Sequence, residues 1–145
     1  MKIKTIFLLS LLPILFLTGC DKYGFVPVVG TWRLMTYTYG VGSAIQVPSS
    51  GNSYCLGFDG DGSFRGNGYI NTFWGEFTLD GNKINMVIND MTQVNADPVY
   101  MQEEQKFINA LRNVTSYDVT GGNLILYYDD NKMTFNRESG IIPTN

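Results

Sequence analysis

The sequence predicts an α+β fold, mainly antiparallel β: a strongly curved sheet or partly open β-barrel of about seven to eight strands with one α-helix, about residues 99–112, packed on it. Three observations predict it. Short β-like runs recur at roughly 8–12-residue spacing with Gly, Asp and Asn turn signals between them. Only one stretch has helical periodicity together with start signals. The composition, 44% hydrophobic and 16% charged, is that of a chain with a packed core rather than a disordered tail.

The elements follow in order. Val28–Thr38 mixes Val, Trp, Leu, Met and Tyr with partial alternation, a strand signal. Residues 40–53 are rich in Gly and Ser and read as a long exposed loop, the kind of segment that often carries binding. Tyr54–Phe58 and Ser63–Ile70 flank Asp59-Gly60-Asp61-Gly62, and Phe73–Leu79 and Lys83–Ile88 flank Asp80-Gly81-Asn82, giving two hairpins. The helix follows from about Val99 to Arg112, with Asp97 as its cap and Pro98 in its first turn. Tyr100, Phe107, Ala110, Leu111 and Val114 form one apolar stripe, while Gln102, Glu103, Gln105, Lys106, Asn109 and Arg112 cover the other face. The stripe is expected to pack on the sheet. Val114–Thr120 and Asn123–Tyr128 then flank Gly121-Gly122, and Lys132–Arg137 follows Asp129-Asp130-Asn131.

The beginning of the chain carries an address. Lys2 and Lys4 precede an apolar run from Ile6 to Leu17, too short to span a membrane and typical of a signal peptide. It ends in Leu17-Thr18-Gly19-Cys20, a bacterial lipobox. Residues 1–19 are therefore expected to be removed, with the Cys20 thiol accepting a diacylglycerol group that carries palmitate-class chains and the freed Cys20 amine open to further acylation. More than one acyl chain anchors stably, since each buried methylene contributes about 0.8 kcal/mol. The expected organisation is a lipidated Cys20 and short tether over 20–27, one domain over 28–137, and a tail over 138–145. The protein is expected at the bacterial cell envelope, its membrane contact made through the anchor. Losing Lys2 and Lys4 takes the formal charge from −3 to −5. Nucleic-acid binders need a basic footprint, which an acidic chain without a Lys/Arg cluster does not provide.

The chain has no histidine, which excludes Ser-His, Cys-His and His-metal chemistry. With Cys20 lipidated, Cys55 stands alone in a β-like run and reads as a small buried hydrophobe. Asp59-Gly60-Asp61-Gly62-Ser63 lacks the later oxygens of a calcium loop and reads as a turn. Gly66-Asn67-Gly68 reads as a bulge or tight bend rather than a phosphate cradle. Glu103 and Glu104, adjacent on a helix, point in different directions and cannot serve as a paired acid and base. No catalytic, cofactor-binding or metal-binding residue is assigned, and no enzyme activity is expected.

Asn71-Thr72-Phe73-Trp74-Gly75-Glu76-Phe77, Thr92 ahead of the helix, and the series Glu103, Phe107, Leu111, Val114 and Tyr117, then Leu124 and Leu126, follow in order along the chain. In these residues the stretch Gly68–Arg137 resembles the META domain of HslJ-like heat-shock and envelope proteins. Gly30-Thr31-Trp32-Arg33-Leu34 matches as the opening strand. The family's two cysteines fall here at Ile70 and roughly Ala96, so the resemblance implies no disulfide between them. It implies an envelope protein linked to stress or envelope integrity through contacts with an unidentified protein partner, and it carries no site residues across. Gly30-Thr31-Trp32 is also similar to the opening of lipocalin-like barrels, which implies the alternative of a small apolar ligand held inside a cup. The aromatic load favours a filled interior: of two Trp, nine Tyr and nine Phe, only Phe7 and Phe16 fall within the signal.

Overall fold

The computed structural model describes residues 26–38, 40, 45–46 and 54–139. Residues 1–19, Cys20, most of the tether, most of the 40–53 loop and nearly all of the tail lie outside the described residues.

The strands are β1 (Gly30–Tyr37), β2 (Ile45–Gln46), β3 (Cys55–Phe58), β4 (Ser63–Asn67), β5 (Thr72–Asp80), β6 (Lys83–Met91), β7 (Val114–Thr120), β8 (Asn123–Tyr128) and β9 (Asn131–Glu138), with α1 (Pro98–Arg112) between β6 and β7. From β3 onward each strand pairs antiparallel with the next, and β1 pairs with both β3 and β9. That last pairing closes the predicted curved sheet into an eight-stranded antiparallel barrel, and closure removes the free edges an open sheet would expose. β2, a pair of residues inside the stretch expected to be loop, extends β1 opposite Thr36 and Tyr37.

Turn chemistry sets the hairpin ends. Gly121 and Gly122 take φ of 57° and 80°, which is why β7 and β8 stop where the sequence says they should. β4 ends at Asn67, short of the expected Ile70, because the Gly68 amide donates to the Asn71 carbonyl and turns the chain. β6 runs on to Met91, past the expected Ile88, since Asp90 and Met91 pair with Trp74 and Phe73 beyond a bulge.

One ladder is thin. β6 meets β7 only at Lys83 and Ser116, supported by the Tyr117 amide on the Asn82 carbonyl. α1 occupies the connection there, capped by Asp97, whose carboxylate accepts from the Val99 amide at 2.9 Å. Its apolar side joins the core through Phe107, Ile108, Ala110 and Leu111. The barrel thus has a helix rim, where Tyr37 and the β4–β5 loop lie, and an opposite rim where the chain enters through Val26–Val29 and leaves after Glu138.

Candidate functional site

The interior is made by period-two alternation, most regular on β5 and β8, which sends every second side chain inward. Trp32, Leu56, Phe73, Leu124, Leu126, Met133 and Phe135 each have no accessible surface. A side chain with no accessible surface borders no gap wide enough for a water. Phe58, Phe64 and Phe77 fill the space between them, with ring centroids 5.8 Å and 5.0 Å from Phe58. The centre is built as a packed core.

The entry rim is plugged by Trp32. Its indole nitrogen donates to the Val28 carbonyl at 2.7 Å, and the Arg137 guanidinium lies 4.2 Å from its ring centroid. Arg137 also donates to the carbonyls of Val29 at 3.0 Å and Pro27 at 3.3 Å, while Val26 packs against the core. Gly30 has φ +132°, and a Cβ there would run into Arg137. On the neighbouring face Arg33 of β1 holds Glu138 of β9 through two hydrogen bonds, which raises the Arg33 pKa. Cys55 lies across from Arg33 on β3. It is buried as expected, and burial pushes its thiol pKa up.

The helix rim holds the polar construction that the sequence did not disclose. Glu104, 4% exposed, points inward, while Glu103 points out to Tyr37 and Lys106. One Glu104 oxygen accepts from the backbone amides of Ile70 and Asn71 at 2.8 Å and 2.7 Å; the other accepts from the Asn71 side chain at 2.5 Å. The Asn71 carboxamide oxygen then accepts from the Thr92 hydroxyl at 3.0 Å and the Val94 amide at 2.9 Å. Asn71 and Thr92, two landmarks of the family resemblance, are therefore parts of one network that ties the helix to the β4–β5 loop and to the segment after β6. Gly68 lies against the Glu104 carboxylate, in space that a Cβ would take.

Beside this network runs a row of rings. Phe73 lies 6.2 Å from Phe107, Phe107 4.9 Å from Tyr54, Tyr54 6.4 Å from Tyr69, and Tyr69 4.6 Å from Tyr100. Tyr54 enters β3 with φ +57°, an uncommon conformation for an aromatic residue. Burial, then the nearby Tyr37, Glu104, Glu103 and Tyr69, push its pKa up to about 12. Tyr100 ends the row at the surface although it belongs to the helix's apolar stripe: in the first helical turn it stacks on half-exposed Tyr69 of the β4–β5 loop instead of on a strand.

Other expected features resolve as structure. Asp61 accepts from the Ser63 amide and hydroxyl in the β3–β4 turn, and those bonds lower its pKa. Of the bulge or tight bend expected at Gly66-Asn67-Gly68, the structure has the bend: Gly66 pairs with Leu56 and Phe73 in an unbroken ladder, and the chain turns at Gly68. Clefts formed by described residues open outward. One of about 500 Å³ lies between Asn109, Arg112 and Asn113 of the helix end and Asp129 and Asn131 of the β8–β9 turn; another, of about 280 Å³, lies along the β6–β7 seam at Leu79, Ile84 and Val114. Among the described residues no three His, Cys, Asp or Glu side chains come together to hold a metal. Cys20 lies outside the described residues.

Comparison with known proteins gives a consistent picture of the fold. The META domain family model matches residues 27–140. Among solved structures, the chain is similar to a DUF4847 family protein from Bacteroides vulgatus, with TM-score 0.60 and 18% identity over 80% of this chain and 97% of that one. It is also similar to a protein from Burkholderia xenovorans, with TM-score 0.62 and 21% identity over 77% and 83% of the two chains. A lipocalin-like protein from Bacteroides uniformis aligns with TM-score 0.54 and 21% identity over 78% of this chain and all of the other. No relative is found among curated proteins.

Proposed function

The chain belongs to the META domain family, and on that premise we propose that it is a lipid-anchored envelope protein that acts through protein contacts, not by catalysis or by carrying a ligand. The observation that carries this reading is the filled barrel. Trp32, Phe73, Leu126 and Phe135 occupy the space where a lipocalin-like carrier keeps its cup, which leaves no room inside the barrel for the roughly 300 Å³ that a small-molecule pocket needs. The clefts at the helix end and along the β6–β7 seam lie open on the outside. What remains for function is the outer surface and the rims. The histidine-free composition supports the non-enzymatic part of the reading. The lipobox ending at Cys20 supports the anchor, and the family resemblance supports a role in envelope integrity or stress.

The test is pulldown of the lipidated protein from its own envelope, beside the Cys20→Ser form. Membrane fractionation should release or misprocess the Ser form. Mass spectrometry of the wild-type eluate should find a stoichiometric protein partner and no stoichiometric small molecule. A Ser form that stays anchored removes the lipoprotein reading, and a bound apolar molecule in native mass spectra replaces the contact reading with the carrier.

A further inference from the structure

We propose that Tyr69 and Tyr100 form a docking platform for an arginine-bearing polypeptide segment of the envelope partner, a surface that rests on the contact reading above and gives it a place and a chemistry. The two rings stack nearly parallel, 19° apart, and are 48% and 47% exposed. Val94, Val99 and Met101, each more than two-fifths exposed, lie in the same helix-rim elements. Stacked, half-exposed tyrosines of this kind are the side chains enriched at protein interfaces.

The platform is rigid before anything binds. Tyr69 precedes the two amides that Glu104 holds, and its ring rests on Tyr54, which rests on buried Phe107. A pre-ordered aromatic surface loses little conformational entropy on binding.

Charge selects the partner. The β4–β5 loop, residues 92–97 and the helix as far as Gln105 carry Asp97, Glu103 and Glu104 and no Lys or Arg. Lys106, the next cation along the helix, is ion-paired with Glu103 at 2.6 Å, so the charge left over in these elements is that of Asp97 and Glu104. Asp97 caps the helix start and offsets its positive end. Stacked rings in a negative field attract a planar cation, and guanidinium is the side chain that both stacks on tyrosine and stays charged. A phospholipid ammonium group also carries positive charge, but its adjoining phosphate would be repelled by those carboxylates.

The test uses the full chain carrying Cys20→Ser and a short blocked peptide with arginines among leucine and glycine residues. Its twin carries citrulline, neutral and nearly isosteric, for each arginine. The arginine peptide should shift the amide resonances of Tyr69, Ile70 and Tyr100, with affinity that falls as salt is raised. The citrulline twin and the Tyr69→Gln/Tyr100→Gln variant should each weaken binding about tenfold, whereas Tyr69→Phe/Tyr100→Phe, which keeps the rings, should bind like wild type. Equal binding of the citrulline twin, unchanged binding by the Gln variant, or recruitment through these tyrosines to phosphatidylethanolamine vesicles without any peptide shift overturns the proposal. If the peptide fails while a partner crosslinks at another face, the contact reading stands and the platform falls. If the peptide binds here while the envelope pulldown retains no protein, the platform stands and the contact reading falls.

Discussion

Glu104 takes both the backbone and the side-chain N–H of Asn71, a residue 33 positions earlier in the chain, and by doing so fixes the helix to the barrel rim. Removing that acceptor strands three donors in a place where only 4% of the Glu104 surface reaches water. Glu104→Gln keeps one oxygen for the Ile70 and Asn71 amides but sets an NH2 group against the Asn71 side-chain donor, and should cost about 1–3 kcal/mol of stability. A urea midpoint equal to wild type would show that the network does not hold the helix.

Gly68 and Glu104 should couple. Gly68→Ala places a methyl group against the Glu104 carboxylate, so it should destabilise the wild type. In a Glu104→Ala background the obstruction is gone and the cost should shrink. A double-mutant cycle measures this, with an expected interaction of about 0.5–3 kcal/mol; additive effects would mean the close approach relaxes at no cost.

Trp32→Ala and Phe107→Ala should each cost about 3–5 kcal/mol, as for other well-packed large aromatics. Arg137→Met keeps much of the side-chain length but loses the ring contact and the bonds to Val29 and Pro27. It should cost about 1–3 kcal/mol and change the fluorescence of buried Trp32. Denaturant midpoints near wild type for Trp32→Ala would remove the plug from the account of the entry rim.

Stability should fall at alkaline pH through Tyr54. Its folded pKa is raised to about 12 from an ordinary value near 10, so the folded state holds the phenol proton more tightly than the unfolded state. The stabilisation is fully present below pH 10 and is lost as pH rises toward 12. Tyr54→Phe should flatten that part of the stability curve. Parallel curves for the two proteins would assign the alkaline loss elsewhere.

The strands were legible wherever the signal was local. Gly121-Gly122 and Asn131 bracket β8, and Asp97-Pro98 announces α1, because turn and cap chemistry lies within a few residues of what it controls. The burial of Glu104 was only half legible: the helical period sets it on the apolar stripe between Tyr100 and Phe107, apart from Glu103, but its partners lie in a loop 33 and 34 residues away. Ring closure was equally hidden: pairing of Trp32 with Arg137 is a long-range register that alternation does not encode. The platform required Tyr69 and Tyr100 from separate elements to meet, and the helical period alone assigned Tyr100 to the packed stripe.

The double pairing of β1 has a mechanical consequence. Thr31, Trp32 and Arg33 are bonded to β3 on one side and to β9 on the other. Tension drawn through the chain ahead of Val26 first meets the Arg137 contacts with Pro27 and Val29, then acts along the axis of β1. Extraction in that direction shears two ladders together instead of unzipping one bond at a time. A domain pulled by its N-terminal segment should therefore resist at the first strand, and it should yield more readily when the pull is applied across the thin β6–β7 seam.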